Sequence, residues 1–308
     1  MFAEVTRAMD VRRVRRLAGS VTLLPLVVLS ACTINVHGDA YTTREEKRFE
    51  VDGVVELELV SFDGPIEVRG GNRSDVVVEI EKAGSSKEIV DSIKVVAEQE
   101  GNRIRVEARG PDTSQWMIGV GRLDRRARLV ATVPRDCNLL ADSRDGSIKV
   151  ERLKGRLELR SGDGSVQGYD LDGSVTVDTS DGSVKLQGIS GTVDAKTGDG
   201  SLTIDGRLTA ARLRTEDGSV ALRLEPGSAM GESWDLRTGS GSVSLQIPEG
   251  FAAEIDASTG DGAVRADREL GLQVSGEEPR RRLTATLASG KHRLTLRSGD
   301  GSIVLRRY

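Results

Sequence analysis

The stretch "DGSVTVDTSDGSVKLQGISGTVDAKTGDGSLTIDG", Asp172 to Gly206, decides the fold. The triplet Asp-Gly-Ser stands at Asp172, Asp181 and Asp199 within it, and again at Asp145, Asp163 and Asp217. Cut every nine residues from Asp145, the chain reads DGSIKVERL, KGRLELRSG, DGSVQGYDL, DGSVTVDTS, DGSVKLQGI, SGTVDAKTG, DGSLTIDGR, LTAARLRTE, DGSVALRLE. Gly holds the second place in every frame but the eighth, including Gly146, Gly164, Gly182, Gly200 and Gly218. The fourth and sixth places are apolar (Ile148 and Val150, Val175 and Val177, Val184 and Leu186), with polar residues between them. That alternation is the period of a β-strand. Glycine at the second place allows a positive φ at little steric cost, and Asp before it can close an Asx turn. Each frame is a turn plus a short strand, and a Gly every nine residues argues against helix.

The ninth places read Leu153, Gly162, Leu171, Ser180, Ile189 and Gly198, so apolar and small residues alternate. The unit is therefore 18 residues, made of two unlike nine-residue halves. A self-similar period near 20 marks a solenoid. The expected fold is all-β, a parallel β-solenoid whose coils stack about 4.8 Å apart. Its core is aliphatic, which fits 37% hydrophobic but only 3% aromatic residues. After Gly218 the register loosens. "EPGSAMGESWD" and "EGFAAEIDA" read as insertions on a coil side, and residues 267–290 hold a charged loop from Glu277 to Arg282. Trp116 and Trp234 read as loop or cap residues. Upstream, "SKEIVDSI" reads as a helical turn or an outward loop.

The first 40 residues differ. Arg12, Arg13, Arg15 and Arg16 precede an apolar run, Val21 to Leu29, too short to span a bilayer. Leu29-Ser30-Ala31-Cys32 resembles the lipobox of bacterial lipoproteins, which implies lipidation of Cys32, removal of residues 1–31 and a membrane anchor. Five arginines and two acids would leave with that segment, taking the net charge from −4 to −7. Either Met1 or Met9 could start the chain. The expected organisation is a signal at 1–31, a tether at 32–45, an N-terminal β part at 46–140 and the Asp-Gly-Ser solenoid at 141–308. Such a chain is exported, facing the periplasm or the cell surface.

The strand "FDGPIEVRG", the segment "DVVVEIEKAG", the strand ending in "ATVPRD" and the serial "SGDGSV" turns resemble the bacterial putative-adhesin family of unknown function, DUF4097. The resemblance covers roughly residues 45–308. It implies an exported β-helix-like solenoid and names no catalytic residue.

Stacked coils would put Asp145, Asp163, Asp181, Asp199 and Asp217 in a column. Carboxylates about 5 Å apart repel by about 1 kcal/mol even in water. Asx-turn bonds, the neighbouring serines, or calcium could offset this. The nine-residue period matches calcium-binding β-rolls, but the double Gly of that motif is missing. A polysaccharide lyase or hydrolase would need paired carboxylates, and the periodic acids single out no pair. Cys137 has no partner once Cys32 carries lipid, and His37 and His292 lie far apart. A zinc site or a Ser-His-Asp triad has little material. No basic cluster suggests nucleic acid. Tyr308 reads as a chance end or a cap on the last coil, because these strands are too short for an outer-membrane barrel. Outward residues such as Lys149, Thr176, Lys185 and Arg212 make a mixed polar face. The reading is a non-catalytic, lipid-anchored platform for envelope glycans or proteins, with a calcium-binding module and a polysaccharide-active enzyme as alternatives.

Overall fold

The computed structural model describes residues 33–37, 40–110, 125–274 and 281–308. The expected signal segment with Leu29, Ser30 and Ala31, the expected lipid acceptor Cys32, Trp116 and most of the 277–282 loop lie outside the described residues. The N-terminal strands are β1 (Thr33–His37), β2 (Ala40–Glu50), β3 (Val55–Ser61), β4 (Ile66–Gly71), β5 (Asp75–Gly84), β6 (Lys94–Glu100), β7 (Arg103–Arg109) and β8 (Arg125–Pro134). Then come β9 (Cys137–Ser143), β10 (Ile148–Glu151), β11 (Lys154–Ser161), β12 (Val166–Thr179), β13 (Val184–Thr197), β14 (Leu202–Thr215) and β15 (Val220–Leu224). The chain ends with β16 (Trp234–Thr238), β17 (Val243–Ile247), β18 (Ala253–Thr259), β19 (Val264–Ala266), β20 (Gln273–Val274), β21 (Arg282–Leu287), β22 (Arg293–Ser298) and β23 (Ile303–Arg307). A short helix, α1 (Lys87–Ser92), forms where "SKEIVDSI" stands; the Ser86 hydroxyl accepts from the Ile89 amide and caps it.

All strands join one hydrogen-bonded network, largely parallel, folded into two wings. The first wing runs β8, β4, β10, the first halves of β12, β13 and β14, then β15, β17, β23 and β19. The second runs β7, β3, β9, β11, the second halves of β12 to β14, then β16, β22 and β18. Partners in the repeat lie 18 positions apart: Ile148 pairs Val166, Val166 pairs Val184, Val184 pairs Leu202, and Leu202 pairs Val220. Every fourth- and sixth-place residue of the repeat is buried, and inward residues of both wings join one core. Each such Val or Leu contributes about 1.5–3 kcal/mol. Gly168 is the exception in size; a Cβ there would overlap Leu171 and Leu186, which fill its space.

The stack is not in chain order at its ends. β3 and β4 sit between the β7–β8 and β9–β10 rungs, and β22 and β23 sit between β16–β17 and β18–β19. The outer rungs carry antiparallel strands: β6 on β7, β5 on β8, and β21 on β18. These strands cover edges that would otherwise template association.

Several expectations change. The tether expected at 32–45 is largely sheet: β1 pairs with β2, and β2 pairs with β5 in continuous antiparallel register from Tyr41 to Glu50. Phe49 anchors that strand in the core. The expected boundary at 140/141 falls inside β9. "EGFAAEIDA" is no insertion, since β18 is a full rung strand whose alternation buries Ala253, Ile255 and Ala257. Trp234 is not a loop or cap residue but a buried strand residue. It packs on Phe251 at 5.5 Å between ring centroids and donates its indole N–H to the Thr209 carbonyl. Tyr308 caps nothing: β23 is not the end of the stack, and the half-exposed ring lies 4.2 Å from the Arg223 guanidinium.

Candidate functional site

The two corners of the repeat are built differently. At one corner Gly155, Gly173 and Gly191 have φ of 149°, 118° and 130°, the left-handed region that favours glycine. At the other, Gly146, Gly164, Gly182, Gly200 and Gly218 are absent from that region, which corrects the positive φ expected for them. They are glycine for want of space: a Cβ on Gly182 would overlap the Gly164 carbonyl, and one on Gly200 the Gly182 carbonyl. The coils touch backbone to backbone there. Asp172–Ser174, although an Asp-Gly-Ser triplet, lies inside β12 in register with Lys154–Arg156, outside the Asp column.

A buried hydroxyl holds each of these turns. Ser161 Oγ accepts from the Gly164 amide (3.0 Å) and donates to the Gly146 carbonyl (3.1 Å) of the preceding coil. Thr215 does the same with Gly218 and Gly200, Thr238 with Gly241 and Gly218, and Ser298 with Gly301 and Gly241. Each of these hydroxyls closes its own turn and ties it to the coil before, so its donor and acceptor are both used. Sequence reasoning missed this column. Its signal was present as Ser/Thr two positions before Asp-Gly, at Ser143, Ser161, Thr179, Thr197 and Thr215.

The aspartates Asp145, Asp163, Asp181, Asp199 and Asp217 line the outside of this corner, all exposed. Asp217 accepts from Ser240 Oγ at 2.9 Å. Among the described residues no group of three or more His, Cys, Asp or Glu side chains is placed to hold a metal ion. Cys137 is buried in β9, and burial pushes its thiol up to about 12, so it is a packing residue at neutral pH. His292 is exposed on the loop before β22.

The two outer faces also differ. The second wing is a lattice of ion pairs: Arg212–Asp194 (3.2 Å), Arg214–Asp235 (2.9 Å), Arg237–Asp235 (2.6 Å), Arg297–Asp256 (2.7 Å), and Arg160 on Glu158. At its N-terminal end, hydrogen bonds first from Arg109 and then from Arg105 hold Glu107 down at about 2. Hydrogen bonding to Arg297 lowers the Asp256 carboxyl below its usual range. These carboxylates stay ionised and paired at neutral pH, unlike a general acid poised near the working pH. The first wing carries an ion-pair cluster near its N-terminal end, with Glu67 gripped by Arg128 (2.6 Å) and Arg69 (2.8 Å). Farther along it turns to amide and hydroxyl side chains such as Gln167, Thr203 and Ser244. The shallow concavities, such as that between Glu58, Leu140 and Arg156, lie open on these faces.

A family model described as "Toastrack DUF4097" matches residues 54–306. No curated protein matches. Solved structures similar to this chain include three of bacterial origin. One is a "putative lipid binding protein" from Parabacteroides distasonis, at 11% identity, covering 86% of this chain and 96% of that one with a TM-score of 0.41. Another is a "putative adhesin" from Parabacteroides merdae, at 12% identity, covering 86% and 96% with a TM-score of 0.40. A third is a "putative cell adhesion protein" from Clostridium sporogenes, at 14% identity, covering 87% and 100% with a TM-score of 0.28.

Proposed function

We infer that this chain, which belongs to the toastrack DUF4097 family, is an exported, lipid-anchored envelope protein that binds through a rigid polar surface and catalyses nothing. Its working element is an 18-residue coil of two unlike halves, repeated until it presents broad, stiff faces. The observation that carries this reading is the division of labour along each strand: inward residues form one continuous aliphatic core, and the outward residues are polar and face solvent. Regular hydrogen bonding across the stack holds those outward groups in fixed columns, so a partner meets a preorganised surface. Basic residues, a short apolar run and Leu29-Ser30-Ala31-Cys32 support export and anchoring. Because β1 begins at Thr33, a lipid on Cys32 would bring the β1–β2 hairpin close to the membrane.

The test is fractionation. The wild-type protein is expected in the membrane fraction, and Cys32→Ser in the soluble envelope fraction with its fold intact by circular dichroism. Equal membrane retention of both would remove the anchor from this proposal. The calcium alternative places the ion among exposed turn carboxylates. The enzyme alternative asks for a convergent acid and base, whereas Glu67, Glu107, Asp235 and Asp256 are each paired with arginine and the turn aspartates form a row of like groups.

A further inference from the structure

We propose that Asp52–Gly53, in the turn between β2 and β3, is a site of spontaneous isoaspartate formation, and that the buried contacts of the coil corners shield the Asp-Gly turns of the repeat from the same reaction. Glycine carries no Cβ to keep its amide nitrogen away from the carboxyl group before it. The reaction then needs a carboxyl group without a partner, an uncommitted Gly N–H, and a main chain able to turn until the two meet. Among the described Asp-Gly pairs, Gly53 is the exposed glycine. Its φ is 94°, and a Cβ there would meet the Asn102 side-chain amide at 3.7 Å. Among the described residues its N–H has no acceptor, and the Asp52 carboxylate has no hydrogen bond or ion pair. Asn102 holds Asp52 by its main chain: Oδ1 accepts from the Asp52 N–H at 3.0 Å, and Nδ2 donates to the Asp52 carbonyl. Both bonds are exposed, so the turn opens at little cost. Donation to that carbonyl draws electrons from the 52–53 amide and eases loss of the Gly53 proton.

The Gly53 nitrogen, having lost its proton, attacks Cγ of the Asp52 carboxyl group. A C–N bond forms, a C–O bond breaks, and the oxygen leaves as water, closing a succinimide ring. Water then adds back. Cleavage between the Gly53 nitrogen and the Asp52 main-chain carbonyl carbon leaves the chain running through Cγ, which is isoaspartate. The other cleavage restores aspartate. The corner turns meet neither of the last two conditions. Gly146, Gly164, Gly182 and Gly218 each give their N–H to a buried hydroxyl, as do Gly262 and Gly301. Gly200 is buried against the Gly182 carbonyl, and Gly64 against the Ala127 carbonyl. Asp172–Gly173 and Asp205–Gly206 lie inside β12 and β14, with a strand paired on each side. Turning any corner pair towards a ring would drive its glycine into the backbone of the coil before it.

The experiment ages the full-length protein at neutral pH, folded and in urea, and maps isoaspartate by enzymatic methylation and mass spectrometry of the peptides. In the folded protein the Asp52 peptide should carry about tenfold more isoaspartate than any repeat peptide, and in urea the gap should close, because unfolding frees every glycine amide. Asp52→Glu should abolish the label at that position, since a glutamate must close a larger ring. Ser161→Ala takes the acceptor from the Gly164 amide and should raise isoaspartate at Asp163 about fivefold, leaving Asp217 unchanged. Equal labelling of Asp52 and the repeat turns in the folded protein would overturn the proposal. So would a gap that persists in urea, which would belong to the neighbouring residues and not to the fold. A folded Ser161→Ala protein with no rise at Asp163 would overturn the shielding by the hydroxyl. Should that variant not fold, the ratio of folded to urea labelling at each wild-type turn decides the matter.

Discussion

At the scale of single residues, Asp and Gly of one turn have opposite importance. Asp181 is exposed, whereas Gly182 is buried against the backbone of the coil before it. Asp181→Asn should change stability by less than about 0.5 kcal/mol. Gly182→Ala must push the Gly164 carbonyl away and should cost about 1–3 kcal/mol or more. Thr197 donates to the Gly182 carbonyl at 2.9 Å. Thr197→Val leaves that buried acceptor unpaired and should cost about 1–3 kcal/mol, which Thr197→Ser should largely restore. Urea unfolding of the four variants checks the ranking; a larger loss from Asp181→Asn than from Gly182→Ala would contradict it. The glycines were legible in sequence, but their reason was not. Positive φ is a local property that a sequence pattern can suggest. Contact between the backbones of successive coils depends on how closely the coils stack.

At the scale of elements, β12, β13 and β14 each run from one wing to the other, so one strand serves both halves of a coil. The halves are not interchangeable, because one corner uses left-handed glycines and the other a hydroxyl-braced turn. Deleting residues 181–198 should therefore preserve register and leave a cooperatively folding, somewhat less stable protein. Deleting only 181–189 should abolish cooperative thermal unfolding, since it joins two second-wing halves with no first-wing strand between them. Circular dichroism during heating distinguishes the outcomes; equal behaviour of the two deletions would mean that nine residues are the true unit. The strand alternation was readable because each inward residue is fixed by its own position. The interleaved ends were not. Nothing local to "HRLTLRSGDGSIVLRR" says that it lies between β16–β17 and β18–β19, because its pattern would suit any place in the stack.

At the scale of the whole molecule, the exposed aspartates form an edge, not a cluster. Thermal unfolding with millimolar calcium should match that with EDTA. A native-state site at 100 times its Kd would add about 2.7 kcal/mol, so a calcium-specific rise in Tm would revive the ion reading. By itself the sequence determined the all-β class, the repeat and its register, the identity of the inward residues and the poverty of aromatics in the repeat. These follow from periodicity, which is written residue by residue. Only the tertiary structure decided that the segment expected as a tether is sheet, that the rungs interleave at both ends, that Trp234 is core, and which arginines meet carboxylates on neighbouring rungs. Those facts depend on which distant residues become neighbours, and a repeat makes every coil an equally plausible neighbour to every other.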